Sequence, residues 1–341
     1  MDKRVIFAVA GSGKTTHIVK SLDADKRSLI LTYTRGNYQN LKKKIIEKFH
    51  GKWPENITLM TYFEFLYSFC YKPFLADKIK AKGIVYEPNS KNYLKKENDR
   101  YYLSKSGYFY SNRIAFSFEH FGIIDDIKER IERYFDELII DEIQDVSGRD
   151  FNFLLKIMEI EINIVFVGDF FQHTFDTSRD GNVNKNLFKS FIDYKEKFSS
   201  KGFIVDEDTL DKSWRCNKLT CSFIRDNLGI NIYSHQSENR VNEILLLDDI
   251  ELINQTLNDD NIIKLHYENS SKYGKNNKNW GETKGEDYYQ DICIVLNQNT
   301  EEHFKNNTLD KLAPSTKNKL YVALTRARGN TYFISHKDLS K

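Results

Sequence analysis

Three groups of residues in this 341-residue chain have types and spacings that could do chemistry. In F-A-V-A-G-S-G-K-T-T, Gly11 and Gly13 let the backbone N–H groups from Ala10 through Gly13, with Ser12 between the glycines, turn inward around phosphate oxygens. Lys14 can then reach β- and γ-phosphates, the Thr15 hydroxyl can ligate Mg²⁺, and Thr16 completes the nucleotide-binding set. Ala8 stands where the strict form of this loop has glycine. In L-I-I-D-E-I-Q-D, Asp141 would hold Mg²⁺ through water and Glu142 would orient and deprotonate an attacking water, with Gln144 and Asp145 completing the pattern. Gln172, in F-V-G-D-F-F-Q, is a neutral group able to sense a γ-phosphate. The third group lies far along the chain: Arg215 in S-W-R-C, and Arg326 and Arg328 in Y-V-A-L-T-R-A-R. Guanidinium groups placed on a γ-phosphate accelerate phosphoryl transfer. Supplied by a second domain, they would couple hydrolysis to domain motion; for any one of them the plain alternative is a surface salt bridge, worth little.

The elements that must position these residues alternate. Residues 4–7, 27–34, 56–61, 137–141 and 163–169 read as buried strands. Residues 14–22, 36–49, 123–135 and 149–160 read as helices, as does an aromatic stretch at 62–74. Strand–helix alternation predicts an α/β fold with a parallel, doubly wound sheet, and it places Asp141 and Glu142 at the strand edge where ligands of such sheets collect. Between about 75 and 120 periodicity fades, which predicts a small, partly irregular inserted subdomain. The pattern breaks at K-F-S-S-K-G, giving domains 1–200 and 201–341. The second half repeats the alternation, with strands at 243–249, 261–267, 291–297 and 330–335 and helices at 217–229, 249–258 and 316–328. The last helix carries Arg326 and Arg328, and the polar run 269–281 reads as a mobile loop.

Composition narrows the partners. A formal net charge of +2 is no polybasic arm, so a nucleic-acid contact must come from a local groove. The 4 cysteines form no C-x-x-C pair, which suits a reduced cytoplasmic protein and disfavours structural metal. No leader peptide and no membrane span is expected. With 20 Tyr and 24 Phe, rings remain for stacking once a core is filled.

With these stretches in hand, the chain resembles a superfamily 1 helicase of the UvrD/Rep type. A-V-A-G-S-G-K-T-T resembles motif I, I-L-T-Y-T-R-G-N-Y motif Ia, and I-T-L-M-T-Y-F-E-F the T-x-H-S-F stretch. I-I-D-E-I-Q-D resembles motif II, V-G-D-F-F-Q motif III, L-D-K-S-W-R-C motif IV, G-E-T-K-G-E-D-Y-Y-Q-D motif V and L-Y-V-A-L-T-R-A-R motif VI. The resemblance covers nearly the whole chain, and motifs I, II, III and VI in this order are its specific part.

It implies two RecA-like domains with ATP and Mg²⁺ in the cleft between them, and arginine fingers at Arg215 and Arg326. It also implies adenine stacking on Trp214, a nucleotide contact at Asp287, and single-stranded DNA on Thr32, Tyr33, Thr34, Arg35, Thr61 and Phe175. Tyr33 is alternatively a core ring. Phe175 is offered for the family's base-stacking Trp, whose place Thr177 takes. The upstream adenine-reading glutamine is missing, Glu286–Asp287 replaces Leu-Glu, the spacing leaves no room for the large 2B insertion, and the 1B-like insertion is reduced. The expected activity is an ATP-dependent single-strand translocase or helicase, 3′→5′ by resemblance. The alternative is a nucleic-acid- or nucleotide-sensing ATPase that switches a partner such as a nuclease in phage defence, with little unwinding of its own.

Overall fold

The computed structural model describes residues 1–87, 89, 94–174, 181–237, 242–286 and 288–340. They form two compact units, one of Met1–Ile6, Lys14–Gly168 and Asp176–Asp206, the other of Phe7–Gly13, Asp169–Phe175 and Glu207–Lys341.

The first unit is built on β1 (Lys3–Phe7), β2 (Ser28–Thr32), β3 (Ile57–Thr61), a small pair β4 (Ile84–Val85) and β5 (Phe109–Tyr110), then β6 (Glu137–Asp141), β7 (Asn163–Gly168) and β8 (Ile204–Asp206). The main sheet runs β3-β2-β6-β7-β1-β8. Its pairs β3–β2, β2–β6, β6–β7 and β1–β8 are parallel. Every residue of β2 is buried, and β6 buries Leu138, Ile139 and Ile140. Helices cover both faces of such a sheet, so its strands read as unbroken apolar runs. The register sets Thr32 beside Thr61 and Asp141 beside Val167. The carboxyl ends of these strands therefore share one edge.

Three expectations for this unit need correction. The first sheet extends beyond residue 200: β8 pairs with β1 at Arg4–Ile204 through Ile6–Asp206, so the break lies six residues later than K-F-S-S-K-G suggests. The expected irregular insertion contains a regular helix, Ser111–His120. That helix buries Phe118 against Phe153 at 5.1 Å between ring centroids, while Arg113 donates to the Tyr101 hydroxyl at 2.8 Å; its polar first turn, S-N-R, hid the pattern. The aromatic helix at 62–74 is α-helical only at Tyr62–Glu64 and Lys72–Leu75, with a π-helical stretch Phe65–Tyr71 between.

The second unit has its own parallel sheet. After the small pair β9 (Lys212–Ser213) and β10 (Tyr233–Ser234), it comprises β11 (Ile244–Leu246), β12 (Ile263–His266), β13 (Asn277–Asn279), β14 (Ile292–Leu296) and β15 (Thr331–Ser335). Their order is β11-β15-β14-β12-β13, every pair parallel. Two parallel α/β sheets bear out the expected fold class. Among the described residues no helix is long and apolar enough to cross a membrane.

Residues 269–281 are not the expected loop. They contain a 3-10 turn, Ser270–Tyr273, and then β13, paired with β12 from Lys264–Asn277 to His266–Asn279. Trp280 follows, wholly buried, and its indole N–H donates to the Leu265 carbonyl at 2.9 Å. A single tryptophan closes a segment whose other residues are polar. Trp280→Ala should cost about 3–5 kcal/mol, read as an earlier denaturant midpoint for the second unit, with Trp280→Phe in between; a midpoint unchanged in both would mean that this segment is not part of the core.

Candidate nucleotide and nucleic-acid sites

In the first unit, the helix Lys14–Ser21 and β6 bring the phosphate-loop lysine to the carboxylates. Lys14 Nζ lies 3.7 Å from Glu142 Oε1. Glu142 sits in the left-handed region at φ 57, a conformation that costs a non-glycine residue energy and is held only where the surroundings insist on it. Its N–H donates to Asp141 Oδ1 at 3.0 Å, and the Gln144 amide donates to its Oε2. Asp141 is 2 % exposed. Burial, with the charge of Glu142 second, pushes its carboxyl up to about 7 against the opposing pull of Lys14. A cation is the natural complement of such a group. Gly168, which ends β7, has no room for a side chain: a Cβ there would lie 2.3 Å from Gln144 Oε1 and 2.7 Å from Ile143 Cγ2. That close approach supports the turn that carries Glu142.

The loop itself groups with the second unit. Gly11 and Gly13 have φ of 71 and 89. A Cβ on Gly11 would come within 2.7 Å of Arg215 Cβ and 2.8 Å of Ser213 Oγ, and Trp214 N–H donates to the Gly11 carbonyl at 2.9 Å. The buried Ser213 hydroxyl accepts from Arg215 N and Cys216 N at 3.2 and 3.0 Å, which sets the tight turn presenting Trp214 and Arg215. The half-buried Arg215 guanidinium donates to the Thr325 carbonyl at 3.3 Å. Trp214 is 65 % exposed. One face stacks on His235 at 3.9 Å and 14°, and the indole passes 3.8 Å from where a Gly13 Cβ would be. Ser12 is buried, and its hydroxyl has no hydrogen-bond partner among the described residues.

A chain of hydrogen bonds that the sequence reading missed runs through Tyr321. Its hydroxyl accepts from Ala10 N–H at 2.9 Å and donates to Asp169 Oδ2 at 3.0 Å. Gln172 Nε2 donates to the same oxygen at 2.8 Å. Tyr321 is wholly buried, so the phosphate loop, Gln172 and the Arg326 region meet at one hydroxyl. A tyrosine in an otherwise aliphatic run, Y-V-A-L, was the available signal, since a buried phenol needs partners.

Several expected site residues take other roles. The helix 314–324 ends at Leu324, before either arginine. Arg326 is 1 % exposed; its guanidinium donates to the carbonyls of Val322, Thr283 and Glu286 at 3.0, 3.1 and 2.8 Å and to Thr325 Oγ1 at 3.2 Å. Burial, then repulsion from Arg215, lowers its pKa to about 10, which leaves it charged at neutral pH. It ties the end of this helix to the segment at 283–286. Arg328 is exposed. Thr16 is exposed too, and its hydroxyl accepts from Lys44 Nζ at 2.9 Å; Thr15 is half-buried. Thr32 is 1 % exposed and cannot touch a strand. Thr61 is a helix cap: its hydroxyl accepts from Glu64 N at 3.3 Å and its N–H donates to Glu64 Oε2 at 2.8 Å, the T-x-x-E box overlooked in the sequence. Tyr33 is half-buried and stacks on Tyr62 at 5.9 Å and 16°. Thr34 caps the helix Arg35–Lys48, accepting from Asn37 N at 3.1 Å, and Arg35 is exposed at its start. Phe175, Thr177 and Asp287 lie outside the described residues.

The comparisons with known proteins decide the family. An AAA domain family matches residues 2–176, and the viral superfamily 1 RNA helicase core domain matches residues 119–335. The chain belongs to the superfamily 1 helicases. No curated protein matches its sequence. An arterivirus nonstructural protein 10 helicase, solved in complex with DNA, is similar in fold at TM-score 0.51 and 13% identity, over 97% of this chain and 60% of that one. The PRRSV helicase gives 0.48 at 12%, over 97% and 52%. This superfamily 1 chain thus spans between half and three-fifths of the length of the helicases it matches.

The bonding of Arg326 sets an expected outcome. Truncation removes a buried guanidinium that donates to three carbonyls and a hydroxyl, and hydrogen bonds to a charged group are worth roughly 1.5–3 kcal/mol each. Arg326→Ala should therefore lower the melting temperature by several degrees without any nucleotide present, and Arg326→Lys should recover part of it. Unchanged melting together with a collapse in turnover would restore the finger role instead.

Proposed function

We propose that the chain is a single-strand-stimulated ATPase that moves along nucleic acid, splitting ATP into ADP and phosphate. The observation that carries this reading is the approach of Lys14 to Glu142 beside buried Asp141. A phosphate-binding cation, a base for water and a carboxylate suited to a metal then share one strand edge.

Lys14 binds the β/γ-phosphates and the backbone of Ala10–Gly13 cradles them. The unpartnered Ser12 hydroxyl and the positive φ of both glycines fit such a group. Mg²⁺ would be held by Thr15 and Asp141 and would neutralise charge on the phosphates. Mg²⁺ typically takes one or two protein ligands and completes its shell with substrate oxygens and water. Glu142, oriented by Gln144, takes a proton from water as the water oxygen bonds to the γ-phosphorus and the bond to the β,γ-bridging oxygen breaks. Arg215, fastened to the loop through Gly11, is the arginine finger in this reading. Trp214 offers the face turned from His235 to the base. Gln172 reports the state of the γ-phosphate through Asp169 and Tyr321 to Ala10. Within the superfamily, the wording of motifs I to VI supports a UvrD/Rep-like subtype, hence 3′→5′ movement on single-stranded DNA in the cytoplasm.

Glu142→Gln should lower turnover by orders of magnitude while a fluorescent ATP analogue still binds, and Lys14→Ala should lose both; wild-type turnover by Glu142→Gln would sink the assignment. Arg215→Ala should cost about 10³-fold or more in kcat with little change in nucleotide affinity. An effect confined to affinity would remove it as a finger.

Single-stranded DNA should stimulate hydrolysis, and the stimulation should fall as salt rises because phosphate contacts release counterions. Tyr33→Ala should weaken it. Indifference to every single-stranded DNA and RNA at low salt would leave the partner-controlled ATPase as the better account.

A further inference from the structure

Beyond Tyr33, a row of rings leads outward across the first unit. Tyr62 is 3 % exposed and stacks on Tyr33. Tyr33 meets Phe63 edge-on at 5.6 Å, and Phe63 meets Tyr86 at 5.2 Å and 87°. Tyr33 and Phe63 are half-buried, and Tyr86 is 55 % exposed. Exposure thus rises along the row, from an anchoring core ring to one that lies mostly in solvent. Tyr86 does not hang from a free loop. It directly follows β4, which pairs with β5 at Ile84–Phe109 and Val85–Tyr110, and Phe63 braces its ring. The rings of Tyr33, Phe63 and Tyr86 thus form one continuous aromatic row whose outer end lies open to water.

Resting on the reading above that this chain acts on single strands, we propose that Tyr86 is a second base-stacking platform, and that an unpaired strand runs from Tyr33 past Phe63 onto it. The chemistry on the page favours unpaired nucleic acid over a protein partner. Tyrosine faces accept any base without reading sequence, and at the Tyr33 end the row meets an exposed arginine, Arg35, on the first turn of a 14-residue helix whose positive end favours phosphate. At the other end Glu87 is exposed beside Tyr86. A phosphate is repelled there, so the strand must turn a base, not its backbone, toward this ring. The two ends of the row therefore make different contacts: charge at Arg35, stacking at Tyr86.

That difference gives the test. Affinity for a 2-aminopurine-labelled single strand, as DNA and as RNA, is measured on the full chain across a salt series. Tyr86→Ala should weaken binding about 5- to 100-fold at every salt concentration and leave the salt slope unchanged. It should also abolish quenching of the probe at one nucleotide position. Tyr86→Phe should retain both. Arg35→Ala should instead reduce the slope by about one. Tyr134→Ala, which removes a tyrosine of similar exposure at 48 %, should behave as wild type, and melting temperatures exclude misfolding. Wild-type affinity in Tyr86→Ala alongside a loss in Tyr33→Ala overturns this inference alone. Failure of the wild-type chain to bind any single strand overturns it together with the reading on which it rests. Retention by RNA only, or DNA only, identifies which strand the row accepts.

Discussion

Gly11 is the point on which the candidate nucleotide site depends. Its missing side chain would occupy the space taken by Arg215 Cβ and Ser213 Oγ, and its positive φ is one that side-chain-bearing residues rarely adopt. Both restrictions have the same effect: a turn some two hundred residues away lies directly on the phosphate loop. The Trp214 N–H bond to the Gly11 carbonyl fixes the register of that contact, and the Tyr321 hydroxyl fixes the neighbouring amide of Ala10. Residues Phe7–Gly13 accordingly pack with the second unit although Met1–Ile6 and the helix at 14–21 belong to the first. A loop usually described as a self-contained cradle is here shaped from outside.

Much of this was legible in the sequence, for a definite reason. Strands such as S-L-I-L-T and E-L-I-I-D are buried on both faces, so they show as uninterrupted apolar runs, and the phosphate loop is short-range in sequence. Lys14, Asp141 and Glu142 could be placed because each lies within a residue or two of a strand or helix end. What escaped depends on single residues. Trp280 anchors a stretch that is polar by composition, and one buried indole outweighs its four asparagines and three lysines in deciding whether the segment packs. The cap at Thr61 and the buried Thr32 read as ligand contacts in the sequence because a strand-end threonine looks the same there whether its hydroxyl faces a phosphate, a helix N-terminus or the core.

The two arginines show the same limit in sharper form. Family wording treats Arg215 and Arg326 alike. In the fold one packs against the phosphate loop, while the other has four of its five N–H groups directed at three carbonyls and a hydroxyl of its own unit. Desolvation decides between them: a guanidinium so enclosed is stable only where its acceptors are already in place, and those acceptors are main-chain groups that no side-chain pattern records.

The strand order of the second sheet bears on how the chain is made. β15 is last in sequence, yet it lies inside the sheet, between β11 and β14. While the ribosome is still short of residue 331, β11 has no partner in this sheet and β14 shows an unpaired, wholly apolar edge. Two of the five strands of this sheet therefore wait, with an apolar edge uncovered, for five residues to emerge. Such a nascent chain is a natural client for chaperones, and one halted before residue 331 would keep the edges of β11 and β14 uncovered.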